Sequence, residues 1–319
     1  MSCLRVISCV LALAVAPGSG VGPPPGLAAQ EAGQVRPKLG GHTFISTTAT
    51  RDPFPRTFLR STTGVGKTVN LIVIPSFEIG DEIVEEVKGT LLFAELDLAY
   101  QHRVQDWLAV WGRFNLAGRL GTNTGALLAE GVTTITGFEL GWLLRLVETR
   151  SVVLSGTANL WSDGFTDVDI LRWADGLVGG DSRELVESSP TVRGGGGLRF
   201  AWGINEGWGV LLTGEGGYGE SPEPGAENGW VSDFAGGVSL DLRPYTGVPL
   251  GFVLIGASRG FDREEGRPDT RTNEIGIRTA FTGRDDFLVA IDSKMTDYDA
   301  ASGSQVGVIR VALTLQYYF

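Results

Sequence analysis

The chain has 319 residues, with 26 basic against 37 acidic side chains and a net charge of −11, so it lacks the basic footprint that phosphate binding needs and nucleic acid is excluded as a partner. Its two cysteines, Cys3 and Cys9, both lie near the start, leaving the rest unable to build a disulfide framework or a thiolate metal site. Gly numbers 47, with eight Trp, six Tyr and 15 Phe, and no apolar run reaches the roughly 18 residues of a membrane helix, a profile that suits many short strands and turns.

The first residues read as an export signal. Arg5 precedes the apolar run Ile7 to Ala16, and a Gly/Pro stretch leads to the small-residue site Leu27-Ala28-Ala29, so residues 1–29 are expected to be a signal peptide. The apolar run is too short for an anchor helix, and Cys9 has almost no hydrophobic region ahead of it, which argues against a lipoprotein signal. Residues 30–67 are rich in Thr, Pro and Gly and contain the breaker Asp52-Pro53-Phe54-Pro55-Arg56, so an irregular periplasmic N-terminal tail is expected there. Within it Gly64-Val65-Gly66-Lys67-Thr68 resembles a phosphate loop, but Ser61 stands where that pattern needs Gly and a β-branched strand follows instead of a helix.

From residue 68 the sequence alternates. Val69 to Phe77 is a weak first strand; in Leu92 to Tyr100 the even positions are apolar while Glu95 and Asp97 take odd ones, the period of two that marks a strand with one greasy face. Leu108, Val110, Phe114 and Leu116 oppose Arg113, Asn115 and Arg119; Phe138, Leu140, Trp142, Leu144 and Leu146 oppose Glu139 and Arg145; a shorter run follows at 151–161. Val192, Leu198, Phe200 and Trp202 then oppose Arg193 and Arg199, and Trp208, Val210, Leu212 and Tyr218 oppose Thr213 and Glu215. Trp230, Phe234, Val238, Leu240 and Leu242 oppose Ser239, Asp241 and Arg243, and Leu250 to Phe261 is less regular. Ile275, Ile277 and Phe281 oppose Glu274 and Arg278, and Phe287, Val289, Ile291 and Met295 oppose Asp292 and Lys294. The final row Ile309, Val311, Leu313, Leu315, Tyr317 and Phe319 opposes Arg310, Thr314 and Gln316, and the total is about twelve strands.

The connections alternate too. Long ones at 121–131, 162–190, 220–228, 262–269 and 296–304 interleave with tight ones at 103–106, 148–151, 204–207, 244–248 and 282–285. Short turns at one end, long loops at the other, and strands alternating apolar-out and polar-in are the pattern of outer-membrane barrels. The stretch 68–319 therefore resembles the Gram-negative outer-membrane β-barrels, and Tyr317 and Phe319 on the last apolar row match their C-terminal assembly signature. The resemblance implies an all-β fold, a closed antiparallel transmembrane up-and-down barrel in the outer membrane, with bilayer lipid and the barrel assembly machinery as partners. One loop departs from the polar pattern: Ile170, Leu171, Ala174, Leu177 and Val178 recur at helical spacing, so a short helix is expected within Thr166 to Val178.

The row opposite the apolar one would line the lumen. It collects Glu95, Asp97, Glu139, Glu215, Asp241, Glu274 and Asp292 against Arg113, Arg119, Arg145, Arg193, Arg199, Arg243, Arg278, Lys294 and Arg310, nearly balanced with a modest basic excess. Two readings follow: a narrow, passive channel for small polar or anionic solutes, since rings of Arg and Lys favour anions, or a barrel plugged by its own salt bridges that presents acidic outer loops (Asp81, Glu82, Glu85, Glu86; Glu220, Glu223, Glu227; Asp262, Glu264, Glu265). A hydrolase is disfavoured, because His42 lies in the tail and His102 is on the outward row at the turn end, so a His-dependent dyad has no place. No cofactor and no metal site is expected, because no ligand-spacing motif is present.

Overall fold

The computed structural model of the chain describes residues 36–69, 71–74, 77–79, 82–84, 87–89, 91–121, 132–168, 186–220, 228–261, 270–299 and 305–319. Twelve strands make the wall: β1 Phe58–Val69, β2 Leu91–Gln105, β3 Leu108–Gly121, β4 Val132–Glu148, β5 Val152–Val168, β6 Val186–Gly203, β7 Trp208–Gly219, β8 Gly229–Asp241, β9 Leu250–Phe261, β10 Thr270–Phe281, β11 Phe287–Asp299 and β12 Gln305–Tyr318. Each pairs antiparallel with the next, and β12 returns to β1 with Gly307 opposite Val69 and Tyr318 opposite Phe58, closing the barrel. Closure leaves no sheet edge, which is what allows strands to sit in hydrocarbon where unpaired backbone groups find no water.

The side-chain period of two then sorts the residues. Outward stand Leu98, Phe138, Leu140, Leu198, Leu212, Phe234, Leu254, Ile275, Ile291, Val311 and Leu313, all exposed. Aromatic residues border this band as membrane interfaces favour. Tyr100, Tyr317 and Phe319 stack near the turn end at centroid distances of 6.2 and 5.7 Å, and Tyr218 meets Trp230 at 5.2 Å toward the loop end.

The start of the barrel is corrected first. The first wall strand is Phe58–Val69, not 69–77; the latter stretch contributes Leu71–Ile74, paired with Val87–Gly89, and Phe77–Ile79, paired with Glu82–Val84, two small ladders in the β1–β2 connection. The Gly64 to Thr68 stretch is strand, in line with its departures from the phosphate-loop pattern. Residues 166–168 of the expected loop helix are the end of β5, and the rest of that helix, the signal peptide 1–29 and most of the acidic loop residues lie outside the described residues. The described helix is a single turn, Arg243–Thr246, in the β8–β9 connection, ended by Gly247 at φ 73°.

A second correction concerns the tail. Residues 36–57 fill the turn-side half of the lumen: Arg36 N–H donates to the Asp285 carbonyl at 2.7 Å and Gly40 N–H to the Arg150 carbonyl at 2.9 Å, both in turns. Gly40 and Gly41, at φ 58° and 89°, reverse the chain so that Lys38–Leu39 pairs with His42–Thr43. The segment then advances to an apex at Thr47–Thr50, where the Thr47 hydroxyl accepts from Thr50 N–H at 2.9 Å, and returns to β1. Its apolar residues make the core of the molecule. Leu39, Phe44 and Phe54 pack with Val153, Ala201 and Leu211, while Ile45 packs with Val253, Ile255, Ala280, Leu288 and Ala290.

Candidate functional site

The wall is carved to hold this segment. Inward positions that pass it are glycine where space is shortest: a Cβ at Gly203 would stand 2.1 Å from the Leu39 carbonyl, at Gly209 2.4 Å from the His42 ring, and at Gly251 2.3 Å from Ile45. Long wall side chains donate to the segment's backbone carbonyls, the natural way to satisfy an irregular buried chain. Arg60 reaches the Thr47 carbonyl at 3.1 Å, Ser155 the Pro53 carbonyl at 2.6 Å, Arg199 the Asp52 carbonyl at 3.3 Å, and Gln101 the carbonyls of Phe54 and Arg56 at 2.7 and 3.0 Å.

Above the apolar layer lies a charged one that joins wall and segment. Arg51, near the apex, places Nη1 2.7 Å from Glu139 and 2.6 Å from Glu215. Arg199 also bonds Glu215, at 2.9 Å, and the guanidinium carbons of Arg51 and Arg199 lie 5.6 and 5.1 Å from the Trp111 ring centroid, within cation–π range. Asn159 donates to Glu139 at 2.9 Å and Glu215 at 3.3 Å. Across the lumen Arg278 grips Asp292 with two bonds of 2.6 Å, both residues being buried, and Thr314 joins them. Arg310 bridges Glu95 at 3.1 Å and Glu274 at 2.9 Å, Lys294 meets Glu274 at 3.0 Å, and Arg113 pairs with Asp97. Arg193 is 3.6 Å from Asp163, and Asp241 accepts from Thr282 at 3.0 Å.

Of the residues expected in the lumen, Arg119 keeps the inward parity toward the loop end, Arg145 pairs with Glu148 at the turn rim, and Arg243 leaves the lumen for the one-turn helix, where it is exposed. Loopward of the apex a polar cavity of about 400 Å³ remains, lined by Arg51, Arg113, Arg259, Lys294 and Arg310 and by Glu95, Asp97, Asp233, Glu274 and Asp292. The basic excess read from the sequence is thus absent around this cavity.

Two titratable groups of the inner segment are strained by their burial. His42 is held neutral, its pKa lowered to about 4 by desolvation, and its ring contacts the Ser239 hydroxyl at 2.9 Å and the Glu206 carbonyl at 3.4 Å. Both His42 and Ser239 are wholly buried, so this His–Ser contact fastens the segment and offers no face to a substrate. Burial pushes the Asp52 carboxyl up to about 6. His102 faces outward beside Tyr100, whose hydroxyl is 3.5 Å from it.

What sequence reading missed is the segment itself, Arg51 included, and its wall partners Arg60, Gln101, Trp111 and Asn159. A signal was present: on the turn side the inward positions Ala109, Leu143, Val153, Ala201, Leu211, Val253, Ala280 and Leu288 are all apolar and buried, which a water-filled wall does not need.

A closed twelve-strand barrel with an apolar exterior, short turns at one end and a charged interior is the architecture of the Gram-negative outer-membrane β-barrels. The chain is similar in fold to an outer-membrane channel from Pseudomonas putida F1, at a TM-score of 0.53 and 11% identity, covering 86% of this chain and 100% of that one. Looser likenesses are the β domain of the Bordetella autotransporter BrkA, at a TM-score of 0.48 and 8% identity over 82% of this chain and 99% of that one, and LpxR from Salmonella typhimurium, at 0.41 and 11% over 81% and 100%. No protein-family model matches the chain, and no curated protein sequence matches it.

Proposed function

We propose that the protein is an outer-membrane channel for small polar solutes whose resting form is closed by its own residues 36–57. The observation that carries this reading is that the segment adds no strand to the wall: β12 pairs β1 directly, so the barrel is complete without the segment, which is held by packing, side-chain bonds and isolated backbone bonds to the turns rather than by a ladder with a wall strand. A closure so built can leave without opening the sheet. The five basic and five acidic residues named around the cavity favour weak ion selectivity over a strong anion preference.

Planar-bilayer conductance tests it. The full chain should be silent, whereas a chain lacking residues 36–52, shown to be folded by its heat-modifiable migration, should give discrete steps with similar anion and cation permeability. A folded deletion chain that gives no steps would support the alternative, a plugged structural barrel that works through its loops.

A further inference from the structure

The charged layer contains a ledge that the conduction reading does not use. Trp161, on the inward row of β5, extends along the wall: a Cβ at Gly217 would stand 2.1 Å from its Cη2, and one at Gly195 2.9 Å from the same atom. Gly217 belongs to β7, two strands from β5, and strands are spaced about 4.8 Å apart, so a side chain that reaches it can only lie flat against the sheet. The two inward glycines make the bed, and one face of the indole is left toward the lumen.

Around this face lies a cavity of about 130 Å³ that shares Arg51, Arg113, Asn115, Asp233 and Arg259 with the larger one, so the two are contiguous. Its charges are already matched within the protein: Arg259 with Asp233 at 3.0 Å, Arg51 with Glu139 and Glu215, Arg193 with Asp163 at 3.6 Å, Arg113 with Asp97. A free anion or cation would have to break one of these pairs. Asn159, only 4% exposed, spends its amide donors on Glu139 and Glu215 and so belongs to the same matched layer.

We infer that the Trp161 ledge is a subsite for a sugar-sized polyhydroxylated ring. Such a ring is neutral, its C–H face stacks on an indole, and its hydroxyls can exchange hydrogen bonds with polar side chains that line the cavity, Asn115, Asp163 and Asp233 among them. An ion is disfavoured by the matched charges and an apolar ligand by the polar lining. The inference deepens the channel reading by naming its solute class, yet it is tested without conduction.

The test is saturation-transfer difference NMR of methyl α-glucoside with the folded full chain in detergent micelles, irradiating aromatic protons. Transfer to the sugar ring C–H protons is expected, falling at least fivefold in Trp161→Ala and in Gly217→Ala, whose methyl displaces the indole, and surviving in Trp161→Phe. Acetate and glycine betaine should receive none. Equal transfer in the parent, Trp161→Ala and Gly217→Ala, all with heat-modifiable migration intact, would overturn the subsite, as would no transfer to the parent. Sugar binding in a chain that never conducts would sink the channel reading and leave the subsite standing.

Discussion

Gly209 offers the sharpest test of whether residues 36–57 are seated as described. The position is on the inward row of β7 where His42 and Phe44 pass, and a single added methyl would lie 2.4 Å from His42 Cδ2 and 2.8 Å from Phe44 Cε1. Neither ring can yield: both are buried, and Ser239 and the Glu206 carbonyl hold the imidazole. Overpacking of this kind costs about 1–3 kcal/mol, and because the wall is continuous while the segment is not, the strain should fall on the seated state, raising the unseated fraction about 5- to 140-fold. Ser46, 3% exposed, reports it: with Cys3 and Cys9 replaced, a cysteine at 46 reacts with maleimide only when the segment leaves, so its labelling rate follows the open fraction. Gly209→Ala should accelerate labelling by that factor. Gly256→Ala, an outward glycine of β9 with nothing within 4 Å of its Cβ, should not. Labelling of the Gly209→Ala chain at the parent's rate, with heat-modifiable migration retained, would refute the seating of the segment against β7.

Other consequences follow from the same structure. Arg278→Met leaves the buried Asp292 carboxylate without its cation and should cost about 3–5 kcal/mol, read as a lower temperature of heat modification, whereas the double change Arg278→Met with Asp292→Leu should recover most of it. His42 is neutral when seated and titrates near its ordinary 6.5 when released, so its contribution is complete above that pH and is lost as pH falls toward about 4. A nitroxide at position 48 should therefore gain mobility over that window, and less so in His42→Gln; Asp52, whose carboxyl protonates near 6 in place, works in the opposite direction in both chains. Leu313→Arg puts a charge on the lipid face and should weaken folding into vesicles by about 2–4 kcal/mol if the residue lies near the bilayer midplane, an effect absent for the neighbouring inward change Ala312→Ser.

Eleven of the wall strands, the alternation of turns and loops and the face taken by most strand residues were legible in the chain itself, because a period of two sorts side chains to a face before any partner is known. Leu140 and Glu139, or Leu313 and Thr314, are sorted by parity alone. Parity does not say what stands on the other side of the lumen. Residues 36–57 carry no period, so nothing local distinguished a tail outside the barrel from a segment within it, and the strand that begins at Phe58 was hidden by its Thr and Gly content. Which Arg meets which carboxylate was equally out of reach: Arg51 and Glu139 are 88 positions apart, Arg310 and Glu95 215, and such pairs exist only once the closed wall brings distant strands around a shared interior. The chain determined a barrel and its two faces through short-range geometry; that the interior is occupied, by which segment, and with the charges matched, was decided only by closure in three dimensions.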